Sequence, residues 1–121
     1  MRIEIRGRNV EVDHELREHV IKRFVRVGKQ VSELATLDVE LSEERNPSNP
    51  NSQVAEAALR LKGVTLRARE ASPEMTQSIH AIAEDVRRQV KKHRDLRRKR
   101  RQTRRLVNRI RGRPAEWPAE S

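Results

Sequence analysis

The sequence predicts an α+β fold of the broad α/β class, with the element order β-α-β-β-β-α and both helices packed on one face of a four-stranded sheet. Three observations support this prediction. Apolar residues alternate with polar ones in four short segments, recur at three- and four-residue steps in two longer ones, and Gly, Pro or Asn residues separate most of the segments. A single sheet with one covered face also suits a chain of 121 residues that is only 34% hydrophobic.

The first two elements are a short strand and an amphipathic helix. Ile3 and Ile5 alternate with charged residues, which predicts a strand that ends at Gly7. Asp13 is placed to cap the helix and Gly28 marks its predicted end. The apolar residues of this helix recur at four- and three-residue steps, with the last one beyond the predicted end: Leu16, Val20, Phe24, Val27 and Val31. The opposite face carries a row of basic residues at i, i+4 and i+7, which is a candidate contact surface: Lys22, Arg26 and Lys29.

Three further strands follow. The second strand is predicted from the alternation of Leu37, Val39 and Leu41, and an exposed loop rich in Pro and Asn covers residues 45–53. The inward residues of the third strand are predicted to be Ala55, Ala57, Leu59 and Leu61. Lys62 and Gly63 form a candidate tight turn into a fourth strand, whose inward residues are Val64, Leu66 and Ala68. The small alanine side chains leave space for a helix above the sheet.

The second helix is predicted to be long. Ser72 and Pro73 supply an N-cap followed by proline at the first helical position, and no Gly or Pro interrupts residues 74–111. Its apolar stripe is Met75, Ile79, Ile82, Val86 and Val90. Roughly opposite that stripe lie Arg87, Arg88, Lys91, Lys92, Arg94 and Arg98. From about Arg97 the stripe positions become arginine, so the helix is expected to leave the core there. The predicted domains are therefore residues 1–98 and an Arg-rich tail, 99–121, that is a helical extension or disordered.

Positive charge is concentrated in the last third of the chain. Residues 87–113 hold 15 of the 28 Lys and Arg residues and the single acid Asp95, a net charge of +14, whereas residues 1–86 have a net charge of −2. A helix of this charge density indicates a polyphosphate partner, because the release of condensed counterions drives binding to nucleic acid. A solvated basic tail is the alternative interpretation.

Composition argues against several classes of protein. The chain has no Cys, no apolar run resembling a signal peptide and no stretch near the ~20 apolar residues that span a bilayer, so a cytoplasmic protein is expected. The four His residues lack metal-ligand spacing, and we expect no metal, no cofactor, no small-molecule substrate and no enzymatic activity. One catalytic alternative stays open, a nuclease that binds a divalent ion through Asp38, Glu40 and Glu44.

Four segments of the sequence together resemble the ribosome hibernation promoting factor family, also called ribosome-associated inhibitor proteins. The resemblance covers residues 2 to about 98 and rests on the ordered set at compatible spacing. The segments are Ile3-x-Ile5-x-Gly7-Arg8-Asn9-Val10-Glu11-Val12, Leu16-Arg17-x-x-Val20, Leu59-x-Leu61-x-Gly63-x-x-Leu66-x-Ala68, and Met75-x-x-x-Ile79 leading to Arg88-Gln89-Val90-Lys91-Lys92-His93-Arg94. The chain is similar to a short member, or to the N-terminal domain, with an Arg-rich tail added.

The resemblance implies a translation inhibitor that binds the small ribosomal subunit and its rRNA. In this family the basic faces of both helices lie in the groove between head and body, where they occupy the mRNA and tRNA decoding sites and keep ribosomes inactive under stress or in stationary phase. It implies rRNA binding for the matching residues Arg88, Lys91, Lys92 and Arg94. For Lys22, Arg26, Lys29, Arg87 and Arg98 the assignment rests on helical geometry and charge. A structural ribosomal protein and a double-stranded-RNA-binding module are the alternatives.

Overall fold

The computed structural model describes residues 1–46 and 48–111, with side chains up to residue 109. Six elements occur in the predicted order: β1 (Arg2–Arg8), α1 (His14–Gln30), β2 (Thr36–Glu43), β3 (Gln53–Leu61), β4 (Val64–Ser72) and α2 (Met75–Arg111). The four strands form one sheet in the order β1-β2-β3-β4. β1 is parallel to β2, and the other two pairings are antiparallel.

The register of the sheet places its small and apolar residues on one face. Val39 lies opposite Ile5 on β1 and Ala57 on β3, and Ala57 lies opposite Ala68 on β4. Because successive side chains of a strand point to opposite faces, this register aligns the inward residues of all four strands. Leu61, predicted to point inward, is half-buried and packs at the margin of the core.

Both helices pack on this face of the sheet and share one hydrophobic core. α1 contributes Val20, Phe24 and Val27, and the sheet contributes Leu37, Val39, Leu41, Ala55, Ala57, Leu59 and Ala68. α2 contributes the whole predicted stripe, from Met75 to Val90, each residue at most 8% exposed. The predicted fold class and the predicted helix faces are confirmed, since a single core joins both helices to the sheet.

The start of α1 is as predicted, but its end is not. The backbone N–H of Leu16 donates to Asp13 Oδ1 at 2.8 Å, so Asp13 is the N-cap. The helix continues through Gly28 to Gln30, and Val31 is the C-cap. The prediction that Gly28 ends α1 was wrong, because a glycine inside a helix costs only about 1 kcal/mol relative to alanine, and the residues around it continue the helix. A Cβ at Gly28 would lie 3.4 Å from Met1 Cε.

The start of α2 also differs from the prediction. Ser72 is the last residue of β4, paired with Gln53 of β3, and α2 begins at Met75 rather than at Pro73. The Ser72 hydroxyl donates to the Glu74 carbonyl at 2.6 Å instead of capping the first helical turn. Because strand pairing continues to Ser72, the helix begins later in the chain than predicted.

The predicted two-residue turn between β3 and β4 is confirmed, with Gly63 at a φ of 82°.

The chain divides into two compact units, Met1–Val90 and Lys91–Ser121. The first unit holds the sheet, α1 and the first part of α2. In the second unit the helix continues to Arg111, and every residue from Arg94 to Arg109 is exposed. The stripe of buried residues ends at Val90, as predicted, and continuous exposure begins at Arg94, three residues before the predicted point at Arg97. The boundary at residue 98 stays a prediction, and residues 112–121 of the predicted tail lie outside the described residues.

Candidate nucleic-acid interface

The three basic residues of α1 form an exposed row. Lys22, Arg26 and Lys29 lie one or two helical turns apart, on the side of the helix opposite Val20 and Phe24. Glu18, one turn before Lys22, contacts His14 instead, with 3.2 Å between its Oε1 and the His14 Nε2. Within the described residues, no ion pair involves any of the three basic side chains. The row is therefore available to an external anion.

Two apolar side chains lie beside this basic row and were not identified from the sequence. Ile21 and Val25 are 43% and 45% exposed, one turn apart on α1. Each precedes a residue of the basic row, Lys22 or Arg26. Their positions in the sequence could have indicated this exposure, because each follows a residue of the buried stripe, Val20 or Phe24, by one position and so lies outside that stripe. A partner that contacts the row also meets this apolar pair.

The two predicted residues of α2 in the first unit differ in their surroundings. Arg88 is exposed. Arg87 is half-buried, and its Nη2 donates to Glu84 Oε2 at 3.1 Å. An RNA phosphate would have to compete with this carboxylate for Arg87. Arg88 needs no such exchange, because none of the ion pairs between described residues involves it.

The remaining predicted residues lie on the part of α2 that belongs to the second unit. All four are exposed: Lys91, Lys92, Arg94 and Arg98. The only acid in the described part of this unit is Asp95, and no ion pair is formed there. Across the described ranges, no helix is long and apolar enough to cross a membrane. The structure thus exposes eight of the nine predicted residues on helices, and their role in RNA binding stays a prediction.

The open face of the sheet has a different charge pattern. Arginines and carboxylates on neighbouring strands pair with one another there: Arg60 Nη2 lies 3.3 Å from Asp38 Oδ2, and Arg8 Nε lies 3.8 Å from Glu40 Oε1. Arg69 bridges two acids, with 2.9 Å to an oxygen of Glu56 and 2.9 Å to an oxygen of Glu44. A polyanion on this face would meet carboxylates as often as guanidinium groups. The candidate interface is therefore on the helices.

The same ion pairs bear on the alternative of a metal-dependent nuclease. Asp38, Glu40 and Glu44 each face a different arginine rather than one another. The hydrogen bond to Glu56, and then that to Glu44, raises the pKa of Arg69 above its ordinary value. Among the described residues no cluster of three His, Cys, Asp or Glu side chains is placed to hold a metal ion. The carboxylates of the nuclease hypothesis serve as ion-pair partners in this structure.

Comparison with known families identifies the chain. Residues 3–98 match the family described as sigma 54 modulation protein / S30EA ribosomal protein. The chain belongs to this family. The match covers β1 to β4, α1 and α2 as far as Arg98, so that it contains all nine predicted site residues. Helical residues 99–111 lie beyond the match.

Curated relatives are ribosome hibernation promoting factors. The protein of Acinetobacter guillouiae is 28% identical over 101 residues, which cover 79% of this chain and 89% of the relative. That of Pseudomonas putida is 30% identical over 95 residues, 78% of this chain and 88% of the relative. A third, from a Picosynechococcus species, is 27% identical over 96 residues, and there the match covers only 50% of the relative. The resemblance found in the sequence is confirmed.

Two solved structures share the fold. The N-terminal domain of Thermus thermophilus Protein Y superimposes with a TM-score of 0.67 at 24% identity, over 77% of this chain and 99% of that domain. A ribosomal subunit interface protein from Coxiella burnetii gives a TM-score of 0.65 at 20% identity, over 78% of this chain and 99% of that chain. At these identities the likeness supports the arrangement of strands and helices alone.

Proposed function

We propose that this protein binds the ribosome in the cytoplasm and stores it in an inactive state, by occupying the mRNA and tRNA decoding groove of the small subunit under stress or in stationary phase. The observation that carries the proposal is the set of basic side chains on α1 and on α2, of which only Arg87 pairs with a carboxylate among the described residues. The names of the curated relatives support the hibernation role.

The proposed recognition works through phosphates and shape. Among the described residues the one Phe, Trp or Tyr side chain is Phe24, and it is fully buried in the core. Stacking of bases on an exposed aromatic platform is therefore unavailable to this part of the chain. Lys and Arg side chains on a rigid helix contact phosphate oxygens and position the protein without reading the base sequence. Folded rRNA, which presents a fixed arrangement of phosphates, suits such a surface.

The proposed inhibition is steric and requires no chemical step. α1 and α2 bring their basic side chains to rRNA phosphates that line the groove, and the sheet adds bulk behind the helices. The space that mRNA and tRNA need is then filled by protein. No bond is made or broken, which agrees with the expectation that the protein is not an enzyme.

This mechanism predicts competition between the protein and initiator tRNA. Purified protein added to a translation reaction should lower the yield of product, and it should displace labelled initiator tRNA from small subunits in proportion to its occupancy. Occupancy is measured by pelleting the ribosomes, and tRNA retention by filter binding. Undiminished translation at saturating occupancy would contradict binding in the decoding groove.

A matched control uses two triple variants that each remove three positive charges. One variant changes the α1 row, Lys22, Arg26 and Lys29, to Gln. The other changes to Gln three exposed arginines outside the helices: Arg6, Arg45 and Arg67. Only the first variant should weaken inhibition.

A structural ribosomal protein, the second candidate, would co-purify with ribosomes in all growth phases, whereas a hibernation factor should accumulate on them when growth stops.

A further inference from the structure

We propose that residues 97–109 of α2, here called the arginine helix, form a second RNA-binding element that places its arginines in the groove of a structured RNA hairpin. Of these 13 residues seven are Arg, one is Lys and none is acidic. The family match ends at residue 98, so family membership assigns no role to most of the segment. The inference goes beyond the proposed function, because this element can bind RNA without the decoding groove.

The arrangement of the seven arginines follows from helix geometry. At 3.6 residues per turn they occupy one continuous arc of about 180° around the axis. The members of this arc are Arg97, Arg98, Arg100, Arg101, Arg104, Arg105 and Arg109. The other side carries Leu96, Thr103 and Val107, within about 40° of one another. Thr103 donates its hydroxyl hydrogen to the Lys99 carbonyl at 3.0 Å, so this polar group is satisfied within the helix.

The arc is an uncompensated positive surface. All of residues 97–109 are exposed, and none of them takes part in an ion pair between described residues. Four Arg–Arg pairs stand at i, i+4, beginning at residues 97, 100, 101 and 105, and like charges at this spacing destabilise a helix. A ligand with closely spaced phosphates would neutralise these arginine charges along the ~18 Å of the arginine helix, and so would relieve the repulsion between them.

The composition of the arginine helix favours duplex RNA over a single strand. Guanidinium groups make paired hydrogen bonds to phosphates and to guanine edges, which the point charge of lysine does not. The segment has no aromatic residue, so the bases of an unstructured strand could stack only on guanidinium planes. The major groove of regular duplex RNA is deep and narrow. A helix about 10–12 Å wide therefore requires a groove opened by a bulge.

Two other partners fit this surface less well. A membrane surface would have to bind an apolar side that holds only a few exposed aliphatic residues, interrupted by Thr103 and without any aromatic anchor. A second copy of the chain would bring another seven arginines close to the first set. Charge complementarity thus favours a polyanion.

The test measures binding of the full chain to a short RNA hairpin with a central bulge, in the absence of ribosomes, by fluorescence anisotropy across a salt series. The tail variant changes Arg100, Arg101, Arg104 and Arg105 to Gln. The slope of log affinity against log salt should then fall by about three to four units, one for each lost phosphate contact. The matched control changes four exposed basic residues outside the helices to Gln, Arg6, Arg45, Lys62 and Arg67, and should change the slope by less than about one unit.

A third variant tests the role of the guanidinium fork. It changes the same four arginines of the tail variant to Lys, which keeps the charge. Wild type should prefer the bulged hairpin to an unstructured oligonucleotide of equal length, and the Lys variant should lose that preference. Circular dichroism should show at least the wild-type helix content in all variants, because every substituted side chain is exposed and the Gln substitutions remove repulsion between arginines.

Three results would overturn the inference. The tail variant could bind the hairpin as wild type does, the wild type could prefer the unstructured strand, or the arginine helix could mediate binding to phosphatidylglycerol vesicles or self-association while the hairpin stays unbound. Ribosome pelleting of the Gln variant of Lys22, Arg26 and Lys29 tests the proposed function separately. If that variant loses ribosomes while the tail variant keeps full hairpin affinity, only the inference about the arginine helix fails.

Discussion

Two polar contacts of single residues, at Ser78 and at Arg69, show how burial changes the contribution of a contact to the free energy of unfolding. Ser78 on α2 is fully buried, and its hydroxyl donates to the Gln53 carbonyl at the start of β3, with 2.6 Å between the oxygens. Arg69 on the open sheet face is more than half exposed, although it bridges Glu56 and Glu44. A hydrogen bond from a buried hydroxyl contributes about 0.5–1.5 kcal/mol, whereas an exposed ion pair contributes about 0–1 kcal/mol.

Replacing Ser78 with Ala should therefore destabilise the protein more than replacing Arg69 with Gln. S78A removes the hydroxyl that hydrogen-bonds to the Gln53 carbonyl, and we expect a loss of about 0.5–1.5 kcal/mol in the free energy of unfolding. For a domain of this size, each kcal/mol lowers the Tm by about 4–8 °C. R69Q should cost less than about 1 kcal/mol. Thermal unfolding followed by circular dichroism measures both, and a larger loss in R69Q would contradict this ranking.

Among the elements, α2 carries the residues that stabilise the fold on one side and the proposed binding residues on another. Ile82 and the other stripe residues are buried against the sheet and α1, while Arg88, Lys91 and Lys92 are exposed. Burial of the stripe stabilises the fold through the hydrophobic effect, and the exposed side chains contribute little to it. Substitutions on the two sides of the helix should thus have opposite phenotypes.

The triple change of Lys91, Lys92 and Arg94 to Gln should keep helix content and Tm while ribosome affinity falls. Ile82→Ala should do the reverse, because removal of a buried side chain leaves a cavity and costs about 2–5 kcal/mol. Circular dichroism paired with ribosome pelleting, below the Tm of both variants, distinguishes the two effects. If the triple variant unfolds, or binds as wild type does, the assignment of the two sides is wrong.

Periodicity predicted which elements exist and which side each buries, but not every boundary. The stripe from Met75 to Val90 was predicted residue by residue, because apolar residues that recur at a period of 3.6 over four turns fall on one side only in a helix. The ends at Gly28 and Pro73 were predicted from local preference alone. Helix continuation around Gly28 and the pairing of Ser72 with Gln53 outweighed those preferences, and neither can be read from a single residue type.

For the candidate site, the sequence predicted which basic residues are exposed but not which contacts they make. Charge and spacing placed the basic residues on exposed helix sides, which depends only on the helix period. The contact of Arg87 with Glu84, and that of Glu18 with His14, depend on which rotamers the neighbouring side chains adopt, and the sequence allowed other pairings. The exposed pair Ile21 and Val25 was not predicted, because apolar residues of an amphipathic helix are expected on its buried side.

At the scale of the whole molecule, charge divides unevenly along the chain. Residues 1–86 carry a net charge of −2 in spite of 13 basic residues, because 15 acids accompany them, whereas residues 87–113 carry +14. A net charge of +10 raises the rate of encounter with polyanions at low salt. The same concentration of charge should make the proposed RNA binding sensitive to ionic strength, since each neutralised phosphate releases counterions.

Ribosome affinity should therefore depend steeply on salt. If about six to ten Lys and Arg side chains contact phosphates, affinity should fall by about 10³ to 10⁵ between 50 and 200 mM monovalent salt. Pelleting across a salt series measures the slope. The Gln variant of Lys91, Lys92 and Arg94 should have a slope about two to three units smaller, and the open-face and loop variant of Arg6, Arg45 and Arg67 should keep that of the wild type. A nearly flat dependence would instead indicate an interface centred on the exposed apolar pair of α1, because burial of apolar surface releases no counterions.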